Sequence, residues 1–143
     1  MNEKVINILN LIKLDATQLK NRIIYRQNEY IHIFASKRTR EHFQEIFKSR
    51  YDSFTASELS ECPAQIMGYV DSFYEDVDNL KWYFNTTEDM PKTIETKLGA
   101  WLKSINSKYM DLTNAVEEFL NSQLDDFPVN INEVNENNTS EFD

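Results

Sequence analysis

The stretch that decides the fold class is residues 63–85, PAQIMGYVDSFYEDVDNLKWYFN. Its large apolar side chains recur every three or four residues, which is the period of one face of an α-helix. This stripe consists of Ile66, Val70, Phe73, Val77, Leu80 and Phe84. Pro63 suits the first turn of such a helix, because the N–H that proline lacks has no partner there. The spacing therefore predicts a helix over 63–85 with one side in a core.

The same period continues on both sides of that helix. It predicts further helices over 2–34, 39–55 and 91–123. Only two glycines occur in 143 residues, which is too few for the tight turns that connect the strands of a sheet. We therefore predict an all-α fold for residues 1–125, an up-and-down four-helix bundle with antiparallel, coiled-coil-like packing.

The first predicted helix is apolar on more than one face. Its seam, with spacings of four and three, runs through Val5, Leu9, Ile12, Ala16, Leu19, Ile23, Arg26, Tyr30 and Ile33. Further apolar residues lie off the seam, at Ile6, Leu11, Leu14, Ile24, Tyr25 and Ile31. Such a helix is usually buried on two sides, so we expect it to be central or to form a homodimer. We predict a break at 35–42, and a single helix over 2–55 is the alternative.

The last 18 residues, 126–143, differ in composition from the rest. They contain five Asn, five Asp or Glu and no Lys or Arg, which is typical of a flexible acidic tail. Alternatively, Val129, Ile131 and Val134 dock on a partner as an extended strand.

The charge balance limits the partners that the chain can bind. Its net charge is −9, and the acidic residues are concentrated after residue 50. That acidity argues against general nucleic-acid binding. The apolar run near the N-terminus is too short to span a membrane. One cysteine cannot form an internal disulfide, so we expect a cytoplasmic protein.

Several kinds of catalytic site have no counterpart in the sequence. It has neither a glycine-rich phosphate loop nor a Gly-x-Ser-x-Gly motif. One Cys and two His are too few for a usual structural zinc site. A di-iron bundle needs two Glu-x-x-His motifs, whereas Glu41, His42 and Glu45 are in the wrong order and are expected on a solvated helix face. We predict no metal, no cofactor and no enzymatic activity.

One short pattern carries an alternative. Residues 26–32, Arg-Gln-Asn-Glu-Tyr-Ile-His, resemble the Arg-x(4–6)-His signature of HEPN ribonucleases, which are helical bundles that dimerise to form the active site. The resemblance implies that Arg26 stabilises a phosphate and that His32 transfers a proton. The other interpretation is a half-buried arginine and a surface histidine.

Two groups of residues are candidate binding surfaces. The first is a basic group, made up of Lys37, Arg38, Arg40, Lys48 and Arg50. It binds phosphate or an acidic partner, or it pairs with the acids of residues 63–85. The second group combines aromatic and acidic residues, namely Tyr69, Trp82, Tyr83, Asp71, Glu75, Asp76 and Asp78. Exposed aromatics beside acids are typical of protein-binding patches, unless a neighbouring helix covers them.

Together these features favour a small acidic, non-enzymatic protein-interaction module. We expect an inhibitor, antitoxin, immunity or anti-defence type of protein that binds a basic surface of a protein partner. The HEPN-like ribonuclease using Arg26 and His32 is one alternative. A self-assembling structural bundle, with a homodimer through the first helix, is the other.

Overall fold

A computed structural model describes residues 2–125, and every regular element in that range is helical. The elements are α1 (Glu3–Tyr25), α2 (Gln27–Lys37), α3 (Phe43–Ile46), a 3-10 turn (Tyr51–Ser53), α4 (Ala56–Ser60), α5 (Ala64–Thr86) and α6 (Pro91–Asp125). The predicted all-α class is confirmed. The predicted tail at 126–143, with its docking residues Val129, Ile131 and Val134, lies outside the described residues.

Helix α6 packs along both α5 and α1 and runs antiparallel to each of them. On the α5 side, Tyr83 stacks with Trp101 near the loop between α5 and α6, and Phe73 lies near Tyr109 farther along α6. On the α1 side, the hydroxyls of Thr17 and Tyr109 are 2.7 Å apart. The long helices therefore enclose one core.

The core is built from the stripes that the sequence indicated. All six apolar residues of the α5 stripe are buried, as are six seam residues of α1, namely Val5, Leu9, Ile12, Ala16, Leu19 and Ile23. Helix α6 adds Ile94, Leu98, Ile105, Leu112 and Val116. Burial of these side chains is the main force that holds the bundle together.

A kink at Arg26 separates α1 from α2 inside the region predicted as one helix over 2–34. The kink leaves the carbonyl of Ile23 without its usual partner, and the buried hydroxyl of Tyr30 donates a hydrogen bond to it at 2.8 Å. Arg26 itself is exposed, although the heptad pattern placed it on the seam. The predicted break after this helix is confirmed, because Arg38 ends α2 in a left-handed conformation with φ 55°.

The predicted helix over 39–55 is wrong. That region contains only the four-residue α3 and a 3-10 turn, so the described chain has three long helical segments instead of the four helices expected. Side chains of α1 form hydrogen bonds to the backbone of the 39–55 region at several points. The guanidinium of Arg22 donates to the carbonyls of Ile46 and Lys48, and Asp15 accepts from the N–H of Arg50 at 2.9 Å. These groups are consequently not free to form helical hydrogen bonds.

Arg40 explains why the chain enters this region as a loop. Its guanidinium donates to the carbonyls of Phe84 and Thr87 at the C-terminal end of α5. Helix ends leave carbonyls without partners, and a basic side chain supplies the missing donors. Arg40 therefore attaches the start of the connection, the segment 38–55, to the end of α5.

Because two tyrosines are buried, we expect the folded protein to lose stability at alkaline pH. Burial raises the pKa of Tyr30 and of Tyr74 well above the ordinary value of about 10, and in Tyr74 the hydrogen bond to Asp15 adds to the effect. The unfolded chain therefore releases these protons first. Their stabilisation is complete below about pH 10 and is lost as the pH rises, by about 1.4 kcal/mol per pH unit for each tyrosine. Urea unfolding at pH 8 to 11 measures this slope. The Tyr74→Phe variant should show a shallower slope, and an equal slope in both proteins would contradict the assignment.

Candidate functional site

An acidic stripe runs along the outer face of α5 and ends at an exposed tryptophan. The stripe consists of Asp71, Glu75, Asp78 and Trp82, with spacings of four, three and four residues. That spacing places the side chains in one line along a helix. All four are exposed, and Trp82 has 69% of its surface accessible. Within residues 2–125, no Lys or Arg nitrogen lies within 4 Å of the three carboxylates.

A cleft of about 920 Å³ lies between this stripe and the connection from α3 to the 3-10 turn. Asp52 of the turn faces the stripe across the cleft, and Tyr51 stacks on Tyr74 with ring centroids 4.0 Å apart. Burial raises the pKa of Asp78, and the negative charge of Asp52 raises it further. Burial also raises the pKa of Tyr51, with added contributions from Asp71 and Asp52. Lys48 and Lys81 also line the cleft, so its four acids and two lysines leave it with an excess of negative charge.

Three other residues of the predicted aromatic and acidic group lie at the junction of α5 and α6. Asp76 is only 8% exposed, and it binds Lys108 at 3.1 Å and the hydroxyl of Ser104 at 2.5 Å. The Tyr83 hydroxyl donates to Asp89. Tyr69 borders a groove between α5 and the C-terminal half of α6. A neighbouring helix thus covers part of this group, which was the alternative considered from the sequence.

The basic group does not form one patch, and Lys48 is its one member that lines the cleft beside the acidic stripe. Arg40 caps α5, and Arg38 lies over the ring of Phe34, with 5.9 Å between its guanidinium carbon and the ring centroid. Lys37, Lys48 and Arg50 are exposed along the connection. None of the ion pairs between described residues joins this group to the acids of α5, so the predicted pairing of the two is not observed.

The side chains of Arg26, at the kink, and of His32, in α2, which form the HEPN-like pattern, are both exposed. The Arg26 guanidinium makes two hydrogen bonds to the Glu29 carboxylate, at 2.9 and 3.0 Å. These bonds raise the pKa of Arg26 and lower the pKa of Glu29. In this structure the arginine is occupied by an intramolecular partner. Its role towards a phosphate stays a prediction.

His42 differs from the expected solvated position beside Glu41 and Glu45. It is half-buried, its ring packs on Phe43 with centroids 4.1 Å apart, and its Nε2 lies 2.9 Å from the carbonyl of Tyr30. A carbonyl only accepts hydrogen bonds, so Nε2 carries the proton. His42 thus joins the connection to α2 through its hydrogen bond to Tyr30.

The described part of the chain offers no metal site and no membrane-spanning helix. Within residues 2–125, no group of three or more His, Cys, Asp and Glu side chains is arranged to hold an ion. Over the same residues, no helix combines the length and the apolar character needed to cross a bilayer. The stripe and its cleft therefore remain the site with the clearest chemical character.

Comparison with known proteins adds no relative. The sequence matches no known protein family, and neither a curated protein nor a solved structure is similar to it.

Sequence reasoning missed two acidic residues that the fold brings into this region. Asp52 faces the stripe only because the connection folds back beside α5. Asp15 is buried below the cleft, where it accepts hydrogen bonds from Ser49 and Tyr74, each at 2.7 Å. The sequence contained one sign of a buried Asp15, since this residue directly precedes the seam residue Ala16. A carboxylate at such a position needs hydrogen-bond donors around it. Asp52 had no such signal.

Proposed function

We propose that this chain is a non-enzymatic interaction module that binds a basic surface of a protein partner through the acidic stripe of α5. The alignment of an exposed tryptophan with three carboxylates that form no ion pair within residues 2–125 is the observation that carries the proposal. Inhibitors, antitoxins, immunity proteins and anti-defence proteins are the kinds of protein that act by such occupation. The cytoplasm is the expected compartment.

The tryptophan supplies the affinity in this proposal. Trp is enriched among the few interface residues that carry most of the binding energy, because it buries a large area and loses little entropy. A Trp with 69% of its surface exposed gains that burial only when a partner covers it. Its position at the end of the stripe makes it the apolar anchor beside a charged surface.

The carboxylates supply the orientation and the rate of encounter. Like charges four residues apart on a helix repel each other, so the stripe is slightly destabilising in the free protein. A cationic surface relieves that repulsion, and long-range attraction between opposite charges accelerates association at low salt. The partner should therefore present Lys or Arg side chains to α5.

We expect substitutions in the stripe to weaken partner binding more than the same change of charge elsewhere on the surface. Neutralising the stripe by Asp71→Asn, Glu75→Gln and Asp78→Asn should weaken partner binding at least tenfold, mainly through the association rate. Trp82→Ala should weaken it by a similar factor through the dissociation rate. The partner is first co-purified from the native cells with the tagged wild-type chain. Surface plasmon resonance at several salt concentrations then measures both rates for each variant.

A matched control removes three charges of the same sign elsewhere. The exposed residues Glu95, Asp111 and Glu118 of α6 serve this purpose, through their Gln or Asn variants. This triple variant should bind the partner with nearly wild-type affinity. Equal losses in the two triple variants would mean that net charge alone drives binding and would contradict a role for α5. Unchanged binding in the stripe variant would overturn the proposal.

A further inference from the structure

The outer face of α1 carries a second heptad seam that is largely exposed in the described bundle. Its spacings are again four and three, and it consists of Asn7, Leu11, Leu14, Gln18, Asn21 and Tyr25. The first seam of the same helix packs into the core. Leu11 and Leu14 remain 50% and 47% exposed, and Tyr25 is 74% exposed. Helix α1 therefore has apolar residues on a second side, and within residues 2–125 that side faces solvent.

From Asn7 to Tyr25 this second seam contains no acidic or basic side chain; Lys4, three residues before Asn7, is the charged residue at its N-terminal end, and it pairs with Glu61 at 3.3 Å. Charged residues make up 27% of the chain, so six solvent-facing positions would ordinarily include one or two of them. Interface cores are depleted of charge in the same way. The uncharged seam contrasts with the outer face of α5, where three of the four residues of the stripe are acids.

We propose that a second copy of this chain occupies the seam, giving a symmetric dimer through α1. Two copies with a net charge of −9 repel each other wherever their acidic faces meet. The seam is a surface on which they approach without bringing like charges together. The amide groups of Asn and Gln both donate and accept hydrogen bonds, so an identical copy satisfies them. Leu11 and Leu14 provide the apolar centre of the contact.

The size of the seam fits a dimer of modest affinity. From Asn7 to Tyr25 the helix rises about 27 Å, at about 1.5 Å per residue. Two helices in contact over that length bury on the order of 1,000 Å² in total, which is the lower limit for a specific interface. Polar residues within a heptad seam also reduce stability while they fix the register. We therefore expect a dissociation constant in the micromolar range.

Sedimentation equilibrium of the full chain from about 1 to 200 µM tests this dimer. The wild-type mass should rise with concentration from 16.9 kDa towards twice that value. Leu14→Glu should weaken dimerisation at least 100-fold, because it places two like charges in the centre of the contact. Met110→Glu on α6 is the matched control, since Met110 is 47% exposed, as Leu14 is. Circular dichroism and urea unfolding establish that both variants are folded.

The outcomes separate the second copy from other occupants. A mass that rises in the wild type and in Met110→Glu, but stays at 16.9 kDa in Leu14→Glu, supports the α1 dimer. A wild-type chain that is monomeric at 200 µM overturns it, as does equal dimerisation of both variants. The α1 seam and the α5 stripe lie on different helices, so Leu14→Glu should still bind the partner of α5. Failure of one proposal is therefore distinguishable from failure of the other.

Discussion

Phe84→Ala should destabilise the protein by about 4 kcal/mol, the largest effect that we expect from a single side chain. Phe84 is 1% exposed and lies at the centre of an aromatic cluster. Its ring centroid is 4.7 Å from Phe43, 5.6 Å from Tyr30 and 5.9 Å from Phe47. Truncation removes a large buried surface and leaves a cavity, because neighbouring rings on two different segments, α2 and α3, cannot all move inward. A domain of this size has a total stability of about 5–15 kcal/mol.

Urea unfolding monitored by circular dichroism measures this loss, and the neighbouring residue Trp82 offers the control. Trp82→Ala removes an even larger side chain from the same helix, two residues away, but from an exposed position. It should change the free energy of unfolding by no more than about 0.5 kcal/mol. The melting temperature of Phe84→Ala should fall by about 10 °C or more. A similar loss in both variants would mean that residue 84 does not lie in the core.

The contrast between Phe84 and Trp82 also shows what the sequence could predict. Periodicity placed Phe84 inside and Trp82 outside, and the structure agrees, because a regular helix converts spacing directly into direction. The same reasoning succeeded for the core face of α1. It failed over 39–55, where Phe43, Ile46 and Phe47 have helical spacing and are buried without a long helix around them. Side chains from other segments hold that backbone, and spacing carries no information about them.

The candidate site shows the same limit. Asp71, Glu75 and Asp78 lie four and three residues apart on one helix, so their common face followed from the predicted helix. The covering of Tyr83 and Asp76 did not, because it depends on which edge of α5 meets α6. The contribution of Asp52 to the cleft depends on where the connection folds. Local spacing thus predicts one helix face, and the pairing of faces requires the structure.

Asp15 is the residue that the fold of the connection depends on most. Its carboxylate is 5% exposed and accepts three hydrogen bonds, from the Tyr74 hydroxyl, the Ser49 hydroxyl and the Arg50 N–H. It therefore joins α1, α5 and the start of the 3-10 turn at one point. We expect Asp15→Ala to lower the free energy of unfolding by about 3 kcal/mol, because three donors lose their acceptor.

Two comparisons distinguish this role from a simple loss of buried volume. Tyr74→Phe removes one of the three hydrogen bonds and should cost about 1 kcal/mol. The Asp15→Ala, Tyr74→Phe double variant should be less destabilised than the sum of the single variants, because the Tyr74 hydroxyl no longer needs a partner. Strict additivity would contradict the shared hydrogen bond.

Hydrogen exchange provides a second measurement that locates the effect along the chain. In Asp15→Ala the amides of residues 49–54 should exchange faster than the global loss of stability explains, because the Arg50 N–H has lost its acceptor. The amides in the middle of α6 should exchange only as fast as the global change requires. Tyr74→Phe keeps the contacts of Asp15 with Ser49 and Arg50 and should not show the local effect. Because Tyr51, Asp52 and their cleft belong to this segment, loosening it by Asp15→Ala should also weaken a partner bound at α5.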